Sequence, residues 1–182
     1  MLQMTTSRLL FAAGLAALAA APAAAQEEST NRVATETAWS VFVEDDPVEC
    51  WGVSAPEETV NTRDGRVVAV QRGDILLFVT YRPENSVAGE ISFTGGYPFD
   101  NGSTVTLEIG GTSFELFTDG EWAWPATEGD DERIVTALKG GSSATLTGRS
   151  SRGTTTKDTF SLLGFTAAIE EAETRCQAGS AG

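Results

Sequence analysis

The stretch TVTLEIGGTSFELF, residues 104–117, predicts how this chain folds. Apolar side chains alternate with polar ones on both sides of a glycine pair, at Val105, Leu107, Ile109, Phe114 and Leu116. A period of two is typical of a half-buried antiparallel strand. Gly110 and Gly111 supply the two residues of a tight hairpin turn. We therefore expect a β-hairpin here and a fold built from antiparallel strands.

Similar strand patterns recur along the chain. Further strands are predicted at AWSVFVE (38–44), GEISFT (89–94), SATLTG (143–148) and DTFSL (158–162). RVVAV (66–70) and ILLFV (75–79) are continuously apolar and β-branched, which predicts central strands. Asn101 and Gly102 offer another tight turn. About eight or nine short strands separated by such turns predict an antiparallel β-sandwich or a barrel.

Two segments have helical spacing instead. Residues 130–141 begin with acidic residues, carry Lys139 near the end and stop at Gly140, with Asp130 as the candidate N-cap. In residues 161–176 the apolar residues fall on one helical face: Phe165, Ala168, Ile169, Ala172 and Cys176. The fold should therefore contain two short helices, the second of them following the last strand.

The first residues have the features of a secretory signal peptide. Arg8 precedes an apolar run over residues 9–20, and APAAA follows at 21–25. The run is too short to span a membrane, and no later stretch is long enough. We expect cleavage between Ala25 and Gln26, and a periplasmic or secreted mature protein of 182 − 25 = 157 residues.

The mature chain is expected to hold one domain. Residues 26–37 have little apolar content, which predicts a flexible lead-in. Residues 38–177 should form the β-sandwich domain, and residues 178–182 a disordered tail. No linker divides the chain and no internal repeat is visible.

The chain contains two cysteines, Cys50 and Cys176. In an exported protein they most simply pair with each other, because disulfides persist in oxidising compartments. Such a bond would hold the last helix against an early strand. A redox-active pair is the alternative, but the chain has no C-x-x-C motif. We expect a buried, structural disulfide.

Composition excludes several kinds of function. The sequence has no histidine, so Ser-His-Asp triads, Cys-His pairs and histidine metal sites are absent from it. It also has no P-loop, dinucleotide-binding or G-x-S-x-G motif, and we expect no cofactor. A net charge of −14 opposes binding to nucleic acid and to anionic lipid.

Two indoles form a candidate ligand site. Trp122 and Trp124 lie two positions apart, on one side of an extended segment, with Asp119 and Glu121 nearby. If the indoles are exposed, they would form a platform for sugar rings flanked by carboxylate acceptors. If they are buried, they would close one end of the sandwich. We expect burial, because aromatic side chains dominate protein cores.

Residues 72–74 form an Arg-Gly-Asp tripeptide, Arg72, Gly73 and Asp74. At a hairpin tip this sequence can present a guanidinium and a carboxylate to an integrin. The other interpretation is a plain turn between the predicted strands RVVAV and ILLFV. We favour the turn, and keep the tripeptide as a candidate adhesive site.

Two further polar segments contain candidate sites. EDDPVE groups the acidic residues Glu44, Asp45, Asp46 and Glu49, whose oxygen atoms are suited to calcium. The EF-hand spacing is missing, so we expect a solvated acidic loop and no metal. In the segment 149–158, Arg152 is a candidate anion ligand, although a charged edge strand is the expected structure.

Three segments carry a resemblance to a known family. They are FELFTDGEWAWP (114–125), IVTALKGG (134–141) and GRSSRGTTTKDTFSLLGFTAAIEEAETRC (148–176). They are similar to the invasion-associated locus B family of exported bacterial proteins, and the resemblance extends roughly from Trp39 to Cys176. It implies an immunoglobulin-like antiparallel β-sandwich and an envelope or secreted location in Gram-negative bacteria.

The resemblance also bears on function. It supplies no catalytic residues, and the family name links it to host-cell invasion. We therefore expect a non-enzymatic protein that recognises an unknown protein or glycan at the envelope or at a host surface. One alternative is a carbohydrate or peptidoglycan-fragment binding module using Trp122 and Trp124. A second alternative is a hydrolase that uses two carboxylates.

Overall fold

A computed structural model of the protein describes residues 31–179. In chain order, these residues form β1 (Arg32–Glu36), β2 (Trp39–Asp45), β3 (Val48–Ser54), β4 (Glu58–Arg63), β5 (Arg66–Val67), β6 (Leu76–Arg82), a 3-10 turn (Pro83–Asn85), β7 (Val87–Thr94), β8 (Thr104–Ile109), β9 (Thr112–Asp119), β10 (Trp122–Trp124), α1 (Glu128–Gly140), β11 (Ser143–Arg149), β12 (Thr155–Ser161) and α2 (Phe165–Gly179). The predicted signal peptide, 1–25, lies outside the described residues.

All the strands belong to one antiparallel sheet, in the order β1-β2-β3-β6-β7-β10-β9-β8-β11-β12-β4-β5. The predicted hairpin of residues 104–117 is confirmed, with Ile109 paired to Thr112. Gly110 and Gly111 have φ of 56° and 85°, a left-handed conformation that only glycine adopts readily.

The sheet folds over so that its two halves face each other. Phe93 of β7 meets Phe160 of β12 edge to face, with ring centroids 6.2 Å apart, although the strands are distant in the sheet. Trp39 Nε1 of β2 donates a hydrogen bond to the Ser161 carbonyl of β12 at 3.0 Å. These contacts enclose the core between the halves. The expectation of a mainly β, sandwich-like fold with two helices is confirmed.

Helix α2 lies on the inner side of strands β2 and β3. Its buried side chains are those that its spacing predicts, namely Phe165, Ala168, Ile169, Ala172 and Cys176. A Cβ atom on Gly52 would lie 2.6 Å from Ile169 Cδ1, so glycine at this position lets the helix approach the sheet. Close packing of this kind holds a helix that would be marginal alone.

The predicted disulfide is present. Cys50 of β3 is bonded to Cys176 of α2, with their Cα atoms 5.7 Å apart. Both side chains are buried in the core. The bond therefore joins the C-terminal part of α2 to a central region of the sheet, as the cysteine count predicts.

Helix α1 begins earlier than predicted. Asp130 was the candidate N-cap, but the N-cap is Thr127, whose Oγ1 accepts a hydrogen bond from the Asp130 amide at 3.2 Å. The threonine hydroxyl is one of the side-chain groups that can satisfy a free helix amide, and with Thr127 in this position Asp130 lies inside the first turn. Ile134 and Leu138 then face the core.

Three predictions about individual segments differ from the structure. Residues 32–36 were assigned to a flexible lead-in, but they form β1, because backbone pairing with β2 requires few apolar side chains. RVVAV does not form a central strand. Its short strand β5 is at the sheet edge, and Val67 is 77% exposed. Helix α2 continues to Gly179, past the predicted domain end at 177.

Candidate ligand-binding site

The two candidate indoles lie on the outer face of the sheet, so the expectation that they are buried is wrong. Strand β10 alternates, and its middle residue Ala123 is fully buried opposite Phe93 of β7. Trp122 and Trp124 therefore point outward, and Trp122 is 39% exposed. Phe93 is fully buried as well, so β10 turns its alanine toward the core and its two indoles away from it.

Other aromatic side chains share this outer face. They come from β2, β3, β6, β9 and β10, and together with the two indoles they form what we call the aromatic face: Phe42, Trp51, Phe78, Phe117, Trp122 and Trp124. None of the six belongs to the buried core. An antiparallel sheet normally presents polar side chains to solvent, so this aromatic cluster, with Phe117 and Trp122 exposed and the others half-buried, departs from the usual pattern.

Contacts between neighbouring rings hold the side chains of the aromatic face in place. Trp122 and Trp124 are stacked, with centroids 6.3 Å apart and an interplanar angle of 22°. Phe42 and Trp51 are stacked at 5.6 Å and 6°. Phe78 leans on Trp122 at 5.8 Å. Stacking of this kind limits rotation of the rings, so the surface is formed before a ligand arrives.

A groove of about 350 Å³ runs between the stacked rings. Its walls carry the side chains of Trp51, Phe78, Trp122 and Trp124. The hydroxyl-bearing residues Thr80 and Ser92 form its floor and are themselves nearly buried. We call this space the aromatic groove. It offers a ligand apolar walls and a polar base, the usual composition of a small-molecule site.

Charged residues occupy one end of the aromatic groove. Arg82 Nε donates to Glu49 Oε1 at 2.8 Å, and its Nη1 donates to Glu90 Oε1 at 2.9 Å. Glu44 also lines the groove and accepts a hydrogen bond from Asn31 at 2.6 Å. Three carboxylates against one guanidinium leave this end negatively charged. It can accept hydrogen bonds from hydroxyl or amine groups of a ligand.

The acidic neighbours predicted for the indoles are not in the aromatic groove. Asp119 lies in a shallow hollow with Phe117 and Trp124, and Glu121 lines a separate cavity. The groove carboxylates come from other strands. Glu49 precedes Trp51 by two positions, and that alternation is the one signal in the sequence that could have placed it on this face.

The Arg-Gly-Asp tripeptide is not at a hairpin tip. The Arg72 side chain is only 6% exposed and forms a bidentate ion pair with the fully buried carboxylate of Asp158, at 2.6 and 2.7 Å. The Gly73 amide donates to the Gly96 carbonyl. Gly73 and Asp74 are exposed, but the arginine that an integrin would need is not. An integrin contact would need the guanidinium at the surface, where this conformation does not place it.

The acidic segment EDDPVE forms the hairpin between β2 and β3, with Glu44 and Glu49 as register partners. Between residues 31 and 179, no group of three or more cysteine or acidic side chains is arranged to hold a metal ion. Neither helix in that range has the length and apolar content that crossing a bilayer requires.

Comparison with known proteins gives one match. The family model described as "Invasion associated locus B (IalB) protein" matches residues 72–173, which is more than half of the chain. No curated protein and no solved structure matches. The matched range includes both indoles of β10 and the Arg72–Asp158 ion pair, whereas both cysteines lie outside it. This chain is therefore a member of the invasion-associated locus B family.

Proposed function

We propose that the protein is an exported, non-catalytic recognition protein that binds a saccharide on its aromatic face. The observation that carries this proposal is the outward-facing, nearly parallel pair of Trp122, which is exposed, and Trp124, which is half-buried, beside the Glu49–Arg82–Glu90 network. Membership of the invasion-associated locus B family is consistent with a role at the envelope or at a host surface.

Leaving the aromatic face in contact with water is unfavourable in free energy. Large aromatic side chains gain free energy by leaving water, so a contiguous outward aromatic surface marks an interaction site. Helix α2 and the opposing half of the sheet cover the inner face, and within residues 31–179 neither helix packs on the aromatic face. A ligand or partner is needed to bury it.

The chemistry of the groove favours a sugar. A sugar ring has apolar C–H faces and hydroxyl groups around its edge. The indole faces can contact the former, while Glu49, Glu90 and Arg82 can hydrogen-bond the latter. An anionic polymer such as nucleic acid would be repelled by the excess of carboxylates. Peptidoglycan fragments and host glycans both present neutral sugar rings of this kind.

Export and the absence of catalysis belong to the same proposal. Support for export comes from the signal-peptide features of residues 1–25 and from the disulfide. The sequence has no histidine. Within residues 31–179, the carboxyl groups with a raised pKa are Asp131 and Asp158, and they are engaged with a backbone amide and with Arg72 respectively. Neither lines the aromatic groove.

The test is a glycan-array screen of the mature protein, followed by titration with soluble peptidoglycan fragments and with any glycan the array identifies. Trp122→Ala and Trp124→Ala should each weaken binding at least about tenfold, since a buried aromatic anchor contributes more than 1.4 kcal/mol. Leu163→Ala is the matched control, because Leu163 is exposed (63%) and lies outside the aromatic groove. Equal binding by all variants would refute the site, and release of cleaved sugar would refute the non-catalytic role.

A protein partner is the second candidate. The aromatic face extends over strands β2, β3, β6, β10 and β9, which is broader than one sugar chain requires. Tryptophan and arginine are also the residues that most often dominate protein interfaces. Capture of a defined envelope or host-membrane protein that is lost in Trp122→Ala, without glycan binding, would favour this candidate.

A further inference from the structure

A second cavity lies at a different part of the surface and has the opposite charge. Its volume is about 540 Å³, and its walls come from β4, from the turn between β11 and β12, and from residues that follow β7. Three arginines contribute to it: Arg63, Arg72 and Arg152. We call it the arginine pocket. Arginines gathered in this way are notable in a chain with 26 acidic and 12 basic residues.

One wall of the arginine pocket is a fixed, neutral ion pair. Arg72 is held by Asp158 and donates from Nε to the Gly95 carbonyl at 2.8 Å. Its guanidinium also lies over the ring of Tyr97, 5.0 Å from the centroid, and the Tyr97 hydroxyl is 2.5 Å from Thr156 Oγ1. Arg72 therefore shapes the cavity, and its charge is neutralised within the fold.

The other two arginines are not neutralised. Across residues 31–179, neither Arg63 nor Arg152 has a carboxylate within ion-pair distance. Arg149, close to Arg152 in sequence, differs because it is paired with Asp100 at 3.2 Å. Arg63 is positioned by a hydrogen bond from Nη2 to Thr154 Oγ1 at 2.7 Å. Two available positive charges therefore face one cavity.

The turn that carries Arg152 is held firmly. The Ser150 amide donates to the Thr154 carbonyl at 2.8 Å, and the Thr154 amide donates to Ser150 Oγ at 3.1 Å. The Ser151 amide donates to the Pro98 carbonyl at 2.9 Å. Because Ser150 and Thr154 are both buried, the backbone of Arg152 is preorganised and little order must be gained on binding.

We propose that the arginine pocket binds the phosphate group of a small soluble ligand, held by Arg63 and Arg152. Guanidinium groups match the oxygen geometry of phosphate, and two of them balance a dianion. Three arginines against the carboxylates of Asp158 and Glu121 leave the site positive. The charge of −14 on the whole chain opposes adsorption to an anionic membrane, so a soluble phosphate ester is favoured over a lipid headgroup. This site is independent of the aromatic groove.

The experiment is a titration of the mature, isotope-labelled protein with inorganic phosphate, at constant ionic strength, followed by amide NMR. We expect saturable shifts at Ser151 to Thr154, and dissociation constants raised about tenfold in Arg63→Ala and in Arg152→Ala, since each removes charge-assisted hydrogen bonds. Arg149→Ala is the matched control and should bind phosphate normally, because Arg149 is already paired with Asp100.

Glu121 provides a test in the other direction. It is exposed and lines the pocket, so Glu121→Gln should tighten phosphate binding a few-fold by removing a like charge. Absence of saturable shifts, identical shifts with chloride, or unchanged binding in an Arg63→Ala/Arg152→Ala double variant would overturn the proposal. Binding to phosphatidylglycerol vesicles without a response to inorganic phosphate would overturn the assignment of a soluble ligand.

Discussion

Two pairs of aromatic side chains show how differently the two faces of one sheet are used. Trp39 and Phe165 meet edge to face on the inner side, with centroids 4.9 Å apart, and both are buried. Trp122 and Trp124 stack on the outer side, where Trp122 is exposed and Trp124 is half-buried. Residue type alone does not separate the pairs. What separates them is that Phe165 belongs to α2, which packs over Trp39 and its strand, whereas neither helix within residues 31–179 covers the outer pair.

The comparison teaches where stability and recognition reside in this fold. The inner pair is fixed by packing and by the hydrogen bond from Trp39 Nε1 to Ser161. The outer pair has neighbours on one side only, so its unburied surface is available to another molecule. Stability and binding should therefore respond to substitutions on opposite faces.

The largest effect is expected at Trp39. Trp39→Ala removes a fully buried indole, its contact with Phe165 and a buried hydrogen bond. It should lower the free energy of unfolding by about 3–5 kcal/mol, the range for large-to-small core substitutions. Denaturant titration followed by circular dichroism measures this change. A loss below about 1 kcal/mol would remove the distinction between the two faces.

The disulfide should rank next. Cys176→Ser breaks the bond that holds α2 over the inner face, and should cost about 2–5 kcal/mol, as for native disulfides in small exported domains. Amide exchange should accelerate first within Phe165–Gly179. The double variant Cys50→Ser/Cys176→Ser should lose about as much as the single one, since both lack the same bond. An unfolding transition that reductant leaves unchanged would contradict the structural role.

Asp131 of α1 has a carboxyl group whose pKa is raised in the folded protein. Burial, with the nearby acids Glu90, Asp130 and Glu128, raises its pKa from 3.8 to about 6, although it accepts a hydrogen bond from the Ile91 amide. The folded state therefore keeps this proton at a pH where the unfolded chain has lost it. The contribution of Asp131 to stability must fall as pH rises from about 4 to 6.

Asp131→Asn tests this sign. Its amide oxygen can still accept from the Ile91 amide, but it carries no charge. In the parent protein, Asp131 makes the free energy of unfolding fall as pH rises from about 4 to 6. The variant should lack this fall, and should be more stable than the parent protein above about pH 6. Unfolding curves at several pH values measure the difference. A steeper decline in the variant would refute the assignment.

The smallest effect on stability is expected on the outer face. Trp124→Ala should change the free energy of unfolding by about 1 kcal/mol, since Trp124 is half-buried and lies outside the buried core, where substitutions seldom cost more. This value differs from the sequence-based expectation of buried indoles, for which core-sized losses would apply. The same denaturant titration as for Trp39→Ala provides the check. A loss near that of Trp39→Ala would show that the outer pair is structural after all.

The inner face could be predicted from the sequence because its signals are periodic. Trp39, Val41 and Val43 alternate, and Phe165, Ile169 and Cys176 follow helical spacing. Both patterns place a regular row of apolar side chains on one side of the element. The sides of β2 and α2 that face the core can therefore be predicted without knowing which strands pair.

The outer face could not be predicted for a definite reason. WAW is apolar at all three positions, so alternation alone cannot say whether Ala123 or the two indoles point inward. Only the pairing of Ala123 with Phe93 decides it. The Arg72–Asp158 ion pair joins residues 86 positions apart, and no local pattern reports a contact of that range. RVVAV was misassigned because its edge position depends on the same long-range pairing.

The disulfide has one more consequence, for a protease that cuts this protein. Residues 68–75 run between β5 and β6 outside the strands, and several of them are exposed. Because that segment lies between Cys50 and Cys176, cleavage there opens a ring and does not release a fragment. The nicked molecule should gain the mass of one water and remain a single species until a reductant separates its two pieces. Nicking of the protein in its native compartment would therefore release no smaller fragment on a non-reducing gel.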